Sequence, residues 1–341
     1  CIRDRKIILQ FTCPDKAGVL SSATQFLFKR NAFMTEVSSF SDHDTKKFFS
    51  RIAFENEDGS GFNINDLEKE FSIELKEFNI DGRFFDAEQP CKAIIAVSKV
   101  GHCLNDLLHR WKIGSLPIDI KGVISNHETS KDIVEWNNIP FHYLPISPDT
   151  KSEQEQLFKE IYQNSGSELL VLARYMQILS SDFLNELDGQ CINIHHSFLP
   201  GFKGAKPYHQ AHERGVKIIG ATAHYVTDDL DEGPIIEQDI LRVDHGASPE
   251  SMQESGYDIE SAVLLRAVRL YAERRILLNG LKTVIFNWYG GELDNSIYSR
   301  EGTFLGNNYT IKMLGDNEDE IYAKGSGNAF VVGRDVFLSL I

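Results

Sequence analysis

The sequence predicts an α/β protein with two domains in series: a small βαββαβ domain, then a larger domain built on a mostly parallel sheet. Two observations lead to this prediction. Over residues 1–86, apolar runs and amphipathic stretches alternate in the order strand, helix, strand, strand, helix, strand. After residue 92, continuous apolar runs are separated by helical segments, which is typical of a parallel sheet covered on both faces.

The small domain is expected to open with a strand at 7–11. We expect Asp15 to cap the first helix and Val19 to lie on the buried side of that helix. Apolar and polar residues alternate over 48–54, which predicts a strand with one buried face. A second helix is expected to begin at Asp66. The βαββαβ order is that of a ferredoxin-like fold.

Residues 87–92 are predicted to form a linker, and residues 93–287 a larger domain with a Rossmann-like arrangement. Its predicted strands lie at 93–98, 120–125, 141–145, 168–173, 218–226 and 235–243, and its predicted helices at 103–111, 153–164 and 261–275. In such sheets, ligands bind beyond the carboxyl ends of the strands. Residues 193–195 follow an apolar run at such an end.

The last segment, residues 288–341, differs in composition and is richer in Gly. Residues 309–314 and 330–337 still have the pattern of strands. Two interpretations stay open, a small β appendage and a fused stretch of foreign origin. The sequence assigns no role to this extension.

Charge and hydropathy exclude some classes of function. The formal net charge of −15 argues against binding a nucleic-acid backbone, since no broad basic face is available. No apolar run approaches the roughly 18 residues that a membrane span needs. The five cysteines are scattered and contain no C-x-x-C pair, so we expect reduced, mostly buried thiols and no metal site.

Reduced thiols predict an intracellular protein, with the cytoplasm as the expected compartment. The sequence starts at Cys1 instead of Met, so a mitochondrial location stays open in case a targeting segment was removed.

Asn193, His195 and Asp231 are the candidate catalytic residues. Alternate residues of a strand point the same way, so Asn193 and His195 are expected to face one cavity. Asp231 lies in an Asp-rich loop whose turn is favoured by Gly233 and Pro234. An amide, an imidazole and a carboxylate aimed at one point can attack a small acyl group. Taken singly, each residue also has a structural interpretation, such as a hydrogen-bonded strand end or an Asx-turn.

The strings around these residues resemble a known family. Asn193-Ile-His195, Ser197-Phe-Leu-Pro200 and the segment 224–234 are similar to the formyltransferase family that handles 10-formyltetrahydrofolate. Within that family, the His-His-Ser string resembles the formyltetrahydrofolate deformylases, whereas glycinamide ribonucleotide formyltransferases have His-Pro-Ser. Segments 98–108 and 204–212 carry the same resemblance. It covers roughly residues 5–287.

The resemblance implies hydrolysis of 10-formyltetrahydrofolate to tetrahydrofolate and formate, for one-carbon and purine metabolism, with no cofactor besides this folate substrate. Asp231 is then expected to orient and deprotonate water, while His195 and Asn193 donate to the oxyanion. His224 is expected to support the carboxylate or line the site. His196 either distinguishes deformylases from transferases or has a packing role.

Residues 172–180 match the segment that the family uses for its folate pocket. The resemblance therefore predicts folate contacts, with an ordinary strand-to-helix turn as the structural alternative. The predicted folate-binding residues are Arg174, Met176, Ile178 and Leu179. The loop at 98–103 contains a single Gly and is a poor phosphate cradle, which favours water over a ribonucleotide as the formyl acceptor.

The first turn of the small domain, Pro14-Asp-Lys-Ala-Gly-Val-Leu20, resembles an ACT domain. This resemblance implies a regulatory role, with Asp15, Gly18 and Val19 as possible contacts to an amino-acid effector, and a homo-oligomer. A domain that only dimerises is the alternative. For the whole chain, two other functions stay open: a formyltransferase with an amine acceptor, and a catalytically silent amino-acid sensor.

Overall fold

A computed structural model of the chain describes residues 6–56, 61–147, 149–187, 189–201 and 207–287, together with four strands between 300 and 333. The chain forms two compact units, Cys1–Asn287 and Trp288–Ile341. The predicted domain limits at 86 and 93 stay predictions.

The first part of the larger unit is a four-stranded antiparallel sheet with two helices. Its strands pair in the order β2-β3-β1-β4. The elements are β1 (Ile7–Pro14), α1 (Val19–Phe28), β2 (Ala32–Asp42), β3 (Lys47–Asn56), α2 (Ile64–Glu74) and β4 (Asp81–Asp86). This confirms the ferredoxin-like βαββαβ fold.

The two helices of this domain start differently from the prediction. Gly18 occupies the cap position of α1 with φ of 91°, and no side chain caps the helix. The expected cap by Asp15 is therefore wrong, because a glycine in the left-handed region already turns the chain. Helix α2 begins before Asp66, since the Asn63 side chain accepts hydrogen bonds from the first backbone amides.

The second part of the unit is a seven-stranded sheet in the order β11-β10-β9-β8-β5-β6-β7. Strands β5 to β9 pair in parallel, whereas β10 and β11 are antiparallel, which confirms the mostly parallel Rossmann-like sheet. The strands are β5 (Cys91–Val97), β6 (Ile118–Ser125), β7 (Phe141–Tyr143), β8 (Leu169–Leu172), β9 (Gln190–His195), β10 (Ile218–Tyr225) and β11 (Ile235–Arg242).

Helices cover this sheet: α3 (His102–Lys112), α4 (Lys131–Trp136), α5 (Lys151–Ser165), α6 (Ser181–Asn185), α7 (Pro207–Glu213) and α8 (Pro249–Ala272). Strand β5 starts within the predicted linker, because Cys91 is buried and pairs with Ile118. Helix α8 starts well before residue 261, because Ser248 caps it and Pro249 suits its first turn.

A hairpin of β12 (Ile276–Asn279) and β13 (Lys282–Ile285) follows α8 and packs against the small domain. Phe49 of β3 contacts Leu277 and Phe286 there. Strand β3 is therefore buried on both faces, with Arg51 only 3% exposed, and the prediction of one exposed face is wrong. The alternation was real, but the polar residues are covered by another part of the chain.

The second unit contains a four-stranded antiparallel sheet of β14 (Arg300–Phe304), β15 (Asn307–Met313), β16 (Glu320–Lys324) and β17 (Ala329–Gly333). The strands predicted at 309–314 and 330–337 overlap β15 and β17, and their last residues lie outside the described part. Within the described residues, no helix combines the length and apolar character needed to span a bilayer.

Candidate active site

The pairing of β9 with β10 builds the base of the site. The register places Asn193 opposite His224, and His195 opposite Thr222. The Asn193 side-chain nitrogen lies 3.3 Å from His224 Nε2. His224 Nδ1 donates to the backbone carbonyl of Tyr225 at 2.9 Å, and its Nε2 faces both the Asn193 amide and Asp231. Asn193 retains a second amide proton for a ligand.

The loop between β10 and β11 places Asp231 beside Asn193, His195 and His224. Asp231 has φ of 57°, an unusual conformation for a residue with a side chain. The loop closes where Tyr225 donates its amide to the Pro234 carbonyl at 2.9 Å. A Cβ on Gly233 would lie 1.7 Å from the Tyr225 carbonyl oxygen, so only glycine fits there. The sequence cue of Gly233 and Pro234 thus corresponds to a constrained turn.

Asp231 joins the two strand histidines. Its Oδ2 lies 3.2 Å from His195 Nδ1, and its Oδ1 lies 3.7 Å from His224 Nε2. The hydrogen bond from His195 and then that from His224 hold the pKa of Asp231 well below its usual range, although burial raises it. The carboxylate is therefore ionised at neutral pH. The structure brings together all three predicted catalytic residues and His224.

His195 has one ring nitrogen available for a ligand. Its Nδ1 faces Asp231, while its Nε2 is buried and has no hydrogen-bond partner among the described residues. A buried polar atom of this kind needs a partner, because leaving it unpaired costs free energy. When Nδ1 donates to the carboxylate, Nε2 can donate to a substrate oxygen only if both ring nitrogens carry a proton.

His196 lies on the other side of this strand end. Its ring centroid is 6.1 Å from that of Tyr208 and 5.4 Å from that of His195. Burial, and then the positive charge of Arg174, lower the pKa of His196 to about 4, so its imidazole is neutral at pH 7. His196 lines a cavity of about 200 Å³ together with Tyr208, and the three predicted catalytic residues are not among its lining residues. Of the neighbours His195 and His196, His195 is the one that forms an ion pair with Asp231 among the described residues.

The predicted folate segment follows β8. Met176 and Ile178 are 58% and 61% exposed, so both can contact a flat ring. Leu179 is 8% exposed and packs in the core with Phe183, so it differs from the expected ring contact. Arg174 has φ of 65°, and its side chain is 11% exposed. The sequence did not predict that this arginine is buried.

A buried cluster of polar side chains around Glu260 was not predicted from the sequence. Glu260 of α8 is fully buried. It accepts hydrogen bonds from Tyr208 at 2.8 Å and His102 at 2.9 Å, and its Oε2 lies 3.4 Å from Arg174 Nε. Although burial raises it, the pKa of Glu260 is held below its usual value by His102 and Arg174. The signal was a glutamate at helical spacing from the buried Val263.

His102, Cys103 and Glu260 have donor atoms within 4.8 Å of one another. The chemistry of this group does not favour a cation. Burial raises the pKa of the Cys103 thiol far above neutral, and Arg174 already places a positive charge beside Glu260. The expectation of no metal stays a prediction.

The predicted effector residues lie at the start of α1. Asp15 and Gly18 are exposed, and Asp15 donates its backbone amide to the Lys46 carbonyl. The Val19 side chain is 1% exposed in the domain core, so only its backbone is available to an effector. Cys13, Cys91, Cys103 and Cys191 are free and buried, as expected, and Cys1 lies outside the described residues.

Comparison with known proteins assigns the family. A family model described as formyl transferase matches residues 91–268. A formyltetrahydrofolate deformylase of Corynebacterium sp. (strain P-1) is 45% identical, with 82% of this chain and 97% of that protein aligned. A crystal structure of a formyltetrahydrofolate deformylase from Burkholderia mallei is 46% identical, with a TM-score of 0.79 over 83% of this chain and all of that one.

A second solved structure has the same name. The formyltetrahydrofolate deformylase from Pseudomonas syringae pv. tomato is 43% identical, with a TM-score of 0.81 over 83% of this chain and 95% of that one. Identity and coverage at this level, together with the shared fold, are those of homologues. This chain belongs to the formyltetrahydrofolate deformylase family.

Proposed function

We propose that this protein hydrolyses 10-formyltetrahydrofolate to tetrahydrofolate and formate, with Asn193, His195 and Asp231 as the catalytic residues. Family membership supports the reaction. The observation that carries the residue assignment is the ion pair between His195 Nδ1 and Asp231 Oδ2 at 3.2 Å, beside the Asn193 amide. A carboxylate, an imidazole and an amide thus share one site.

The carboxylate of Asp231 is proposed to orient the attacking water. Its lowered pKa makes it a weak base in the resting enzyme, and it also forms an ion pair with His195 Nδ1. As the new C–O bond forms, the carboxylate takes the proton of the water and passes it to the nitrogen that leaves. The C–N bond then breaks to give tetrahydrofolate and formic acid, which releases its proton to solvent and becomes formate.

The oxygen of the formyl group becomes negative during this attack. His195 Nε2, which has no other partner among the described residues, and the free amide proton of Asn193 are proposed to donate to it. Removal of one such donor typically costs about 2.7–4 kcal/mol of transition-state stabilisation. His224 is proposed to support this arrangement by fixing both Asn193 and Asp231.

The exposed side chains of Met176 and Ile178 are proposed to hold the folate ring. No cofactor besides the folate substrate enters this proposal. The test is incubation of the purified protein with 10-formyltetrahydrofolate and no amine. Release of formate supports hydrolysis, whereas strict dependence on an amine acceptor favours a transferase, and no consumption at all favours a silent sensor.

The products, formate and free tetrahydrofolate, are proposed to supply one-carbon and purine metabolism inside the cell. The four described cysteines are buried and unpaired, which suits a reducing compartment such as the cytoplasm. No nucleic-acid or membrane partner is proposed.

The ferredoxin-like domain is proposed to bind an amino-acid effector at its exposed turn of Asp15 and Gly18. Contacts toward the active site support such coupling: Arg275 pairs with Glu36 of β2 at 2.8 Å, and Thr283 of the hairpin donates to the Ile235 carbonyl at 2.6 Å. Ile235 follows the loop of Asp231. Titration of glycine and methionine during the formate assay tests this proposal, and an unchanged rate leaves only a dimerising role.

A homo-oligomer is proposed through the same domain. Strand β2 is an edge strand and exposes Phe33, Val37 and Phe40, of which Phe33 is 58% exposed. Apolar side chains on an unpaired edge favour pairing with a second copy. Sedimentation of the wild type against Phe33→Ser protein tests this proposal.

A further inference from the structure

Arg174 is a buried cation whose donors are incompletely used. Its side chain is 11% exposed, and its Nε and Nη1 atoms have no hydrogen-bond partner among the described residues. The nearest acceptor, Glu260 Oε2, lies 3.4 Å from Nε and forms an ion pair with it. Buried donors without partners are costly, so a ligand that fills them would be bound favourably.

Neither Nε nor Nη1 forms a hydrogen bond with Glu260, whose two carboxylate oxygens accept from other residues. Its Oε1 accepts from Tyr208, and its Oε2 accepts from His102. His102 contributes another orphan to the same cluster, since its buried Nδ1 has no partner among the described residues. The cluster therefore contains one carboxylate with its partners and two guanidinium donors, Arg174 Nε and Nη1, without a hydrogen-bond acceptor among the described residues. Such donors suit an anion.

A chain of contacts connects these donors to His195. Tyr208, bonded to Glu260, is adjacent to the His196 ring, and His196 is adjacent to His195. The backbone agrees with this placement, because the Arg174 carbonyl accepts from the Ser98 amide at the carboxyl end of β5, where ligands of such sheets bind. The positive charge of Arg174 also contributes to the lowered pKa of His196.

We propose that Arg174 binds the formate anion, the acidic product of the hydrolysis, and does not contact the folate ring. The inference rests on the proposed function, which generates a carboxylate from a neutral formyl group. A guanidinium donates to a carboxylate through two parallel hydrogen bonds, which suits a ligand as small as formate. Arg174 thus attracts the product carboxylate more strongly than the neutral formyl group of the substrate.

Formate binding can be measured directly on the full-length protein without folate. Formate is titrated and followed through the broadening of its proton resonance. We expect saturable binding to the wild type and a roughly 10- to 100-fold weaker affinity in Arg174→Met protein. Arg110→Met is the matched control, since Arg110 is 46% exposed and pairs only with Asp106 among the described residues. It should bind formate as the wild type does.

Arg174→Met leaves Glu260 with one cation fewer and can impair folding. The double variant Arg174→Met/Glu260→Gln removes both charges of the pair and keeps the interior neutral. It should fold and should also lose formate binding. Equal formate affinities in the wild type and a folded Arg174 variant would overturn the proposal, as would the absence of saturable binding to the wild type.

Failure of this inference is distinguishable from failure of the proposed function. Asn193→Ala protein should lose turnover and keep its formate affinity, because Asn193 donates to the oxyanion and not to the product carboxylate. Normal hydrolysis by the wild type together with formate binding that ignores Arg174 contradicts only the formate site. Formate binding that needs Arg174, without any hydrolysis by the wild type, contradicts only the reaction.

Discussion

His195 Nδ1 lies 3.2 Å from Asp231 Oδ2, and the two residues come from segments of opposite character. His195 ends β9, a central strand of the parallel sheet, whereas Asp231 lies in a tight loop between antiparallel strands. The site therefore forms only when the antiparallel pair β10–β11 adds to the parallel sheet. This dependence makes both the side chains and the loop testable.

Asp231→Asn should lower kcat by about 10²- to 10⁴-fold, because the neutral amide cannot take a proton from water. The KM for 10-formyltetrahydrofolate should change little, since no folate contact is removed. Asp229→Asn, at an exposed position of the same loop, is the control and should retain activity. Steady-state formate release checks both, and normal turnover by Asp231→Asn protein contradicts the assignment.

Gly233→Ala should destabilise the fold and abolish turnover together. The new Cβ would lie 1.7 Å from the Tyr225 carbonyl oxygen, so the loop that carries Asp231 must shift. A displacement of this size should cost more than about 1 kcal/mol of unfolding free energy. Urea unfolding and formate release are measured beside Gly246→Ala, whose new Cβ meets only the Asp244 side chain. An active Gly233→Ala enzyme would show that the loop adapts.

His196 should make the native state less stable in mild acid. Its pKa is about 4 in the folded protein, against about 6.5 in an unfolded chain. Between these pH values the imidazole of His196 is protonated in the unfolded chain and neutral in the native state. The free energy of unfolding is therefore highest above about pH 6.5 and falls as the pH is lowered toward 4. Thermal unfolding across this window should show a shallower decline in His196→Asn protein. Identical pH profiles would mean that His196 titrates normally.

Arg51→Met should weaken the packing of the hairpin on the small domain. Arg51 is 3% exposed and donates to the carbonyls of Glu273 and Arg274 and to the Glu36 carboxylate. Its loss leaves buried acceptors unpaired, at a cost of about 3 kcal/mol. Lys47→Met, exposed on the same strand, should leave the unfolding free energy unchanged. Equal unfolding free energies of the two variants would show that Arg51 does not stabilise the packing of the hairpin on the small domain.

Local sequence patterns predicted which segments form strands and helices better than they predicted which faces of those elements are buried. The strand that holds Asn193 and His195 and the loop that holds Asp231 were predicted correctly. Each prediction depends on a pattern within a few residues: the alternation along the strand, and the turn residue Gly233. The face of β3 that holds Arg51 was misjudged, since its cover comes from residues more than 200 positions later. Burial by distant segments leaves no local trace.

The cluster around Glu260 was missed for the same reason. Its partners His102 and Arg174 are 158 and 86 positions away, and only the folded chain brings them together. The cap predicted at Asp15 was wrong for another reason. Both Asp15 and Gly18 lie in the turn before α1, and the helix begins at Gly18 in a left-handed conformation. When two neighbouring residues could both begin a helix, the backbone conformation of the whole domain determines which of them does.

The attack of water on the formyl carbon is tested most directly by one turnover in H₂¹⁸O. Enzyme in excess is mixed with 10-formyltetrahydrofolate without any amine, and the formate is analysed by mass spectrometry. Hydrolysis at the site of Asn193, His195 and Asp231 predicts formate that carries one oxygen from the solvent, and no formate from Asp231→Asn protein in the same time. Formate without solvent oxygen, or a formyl group released only to an added amine, would contradict the account.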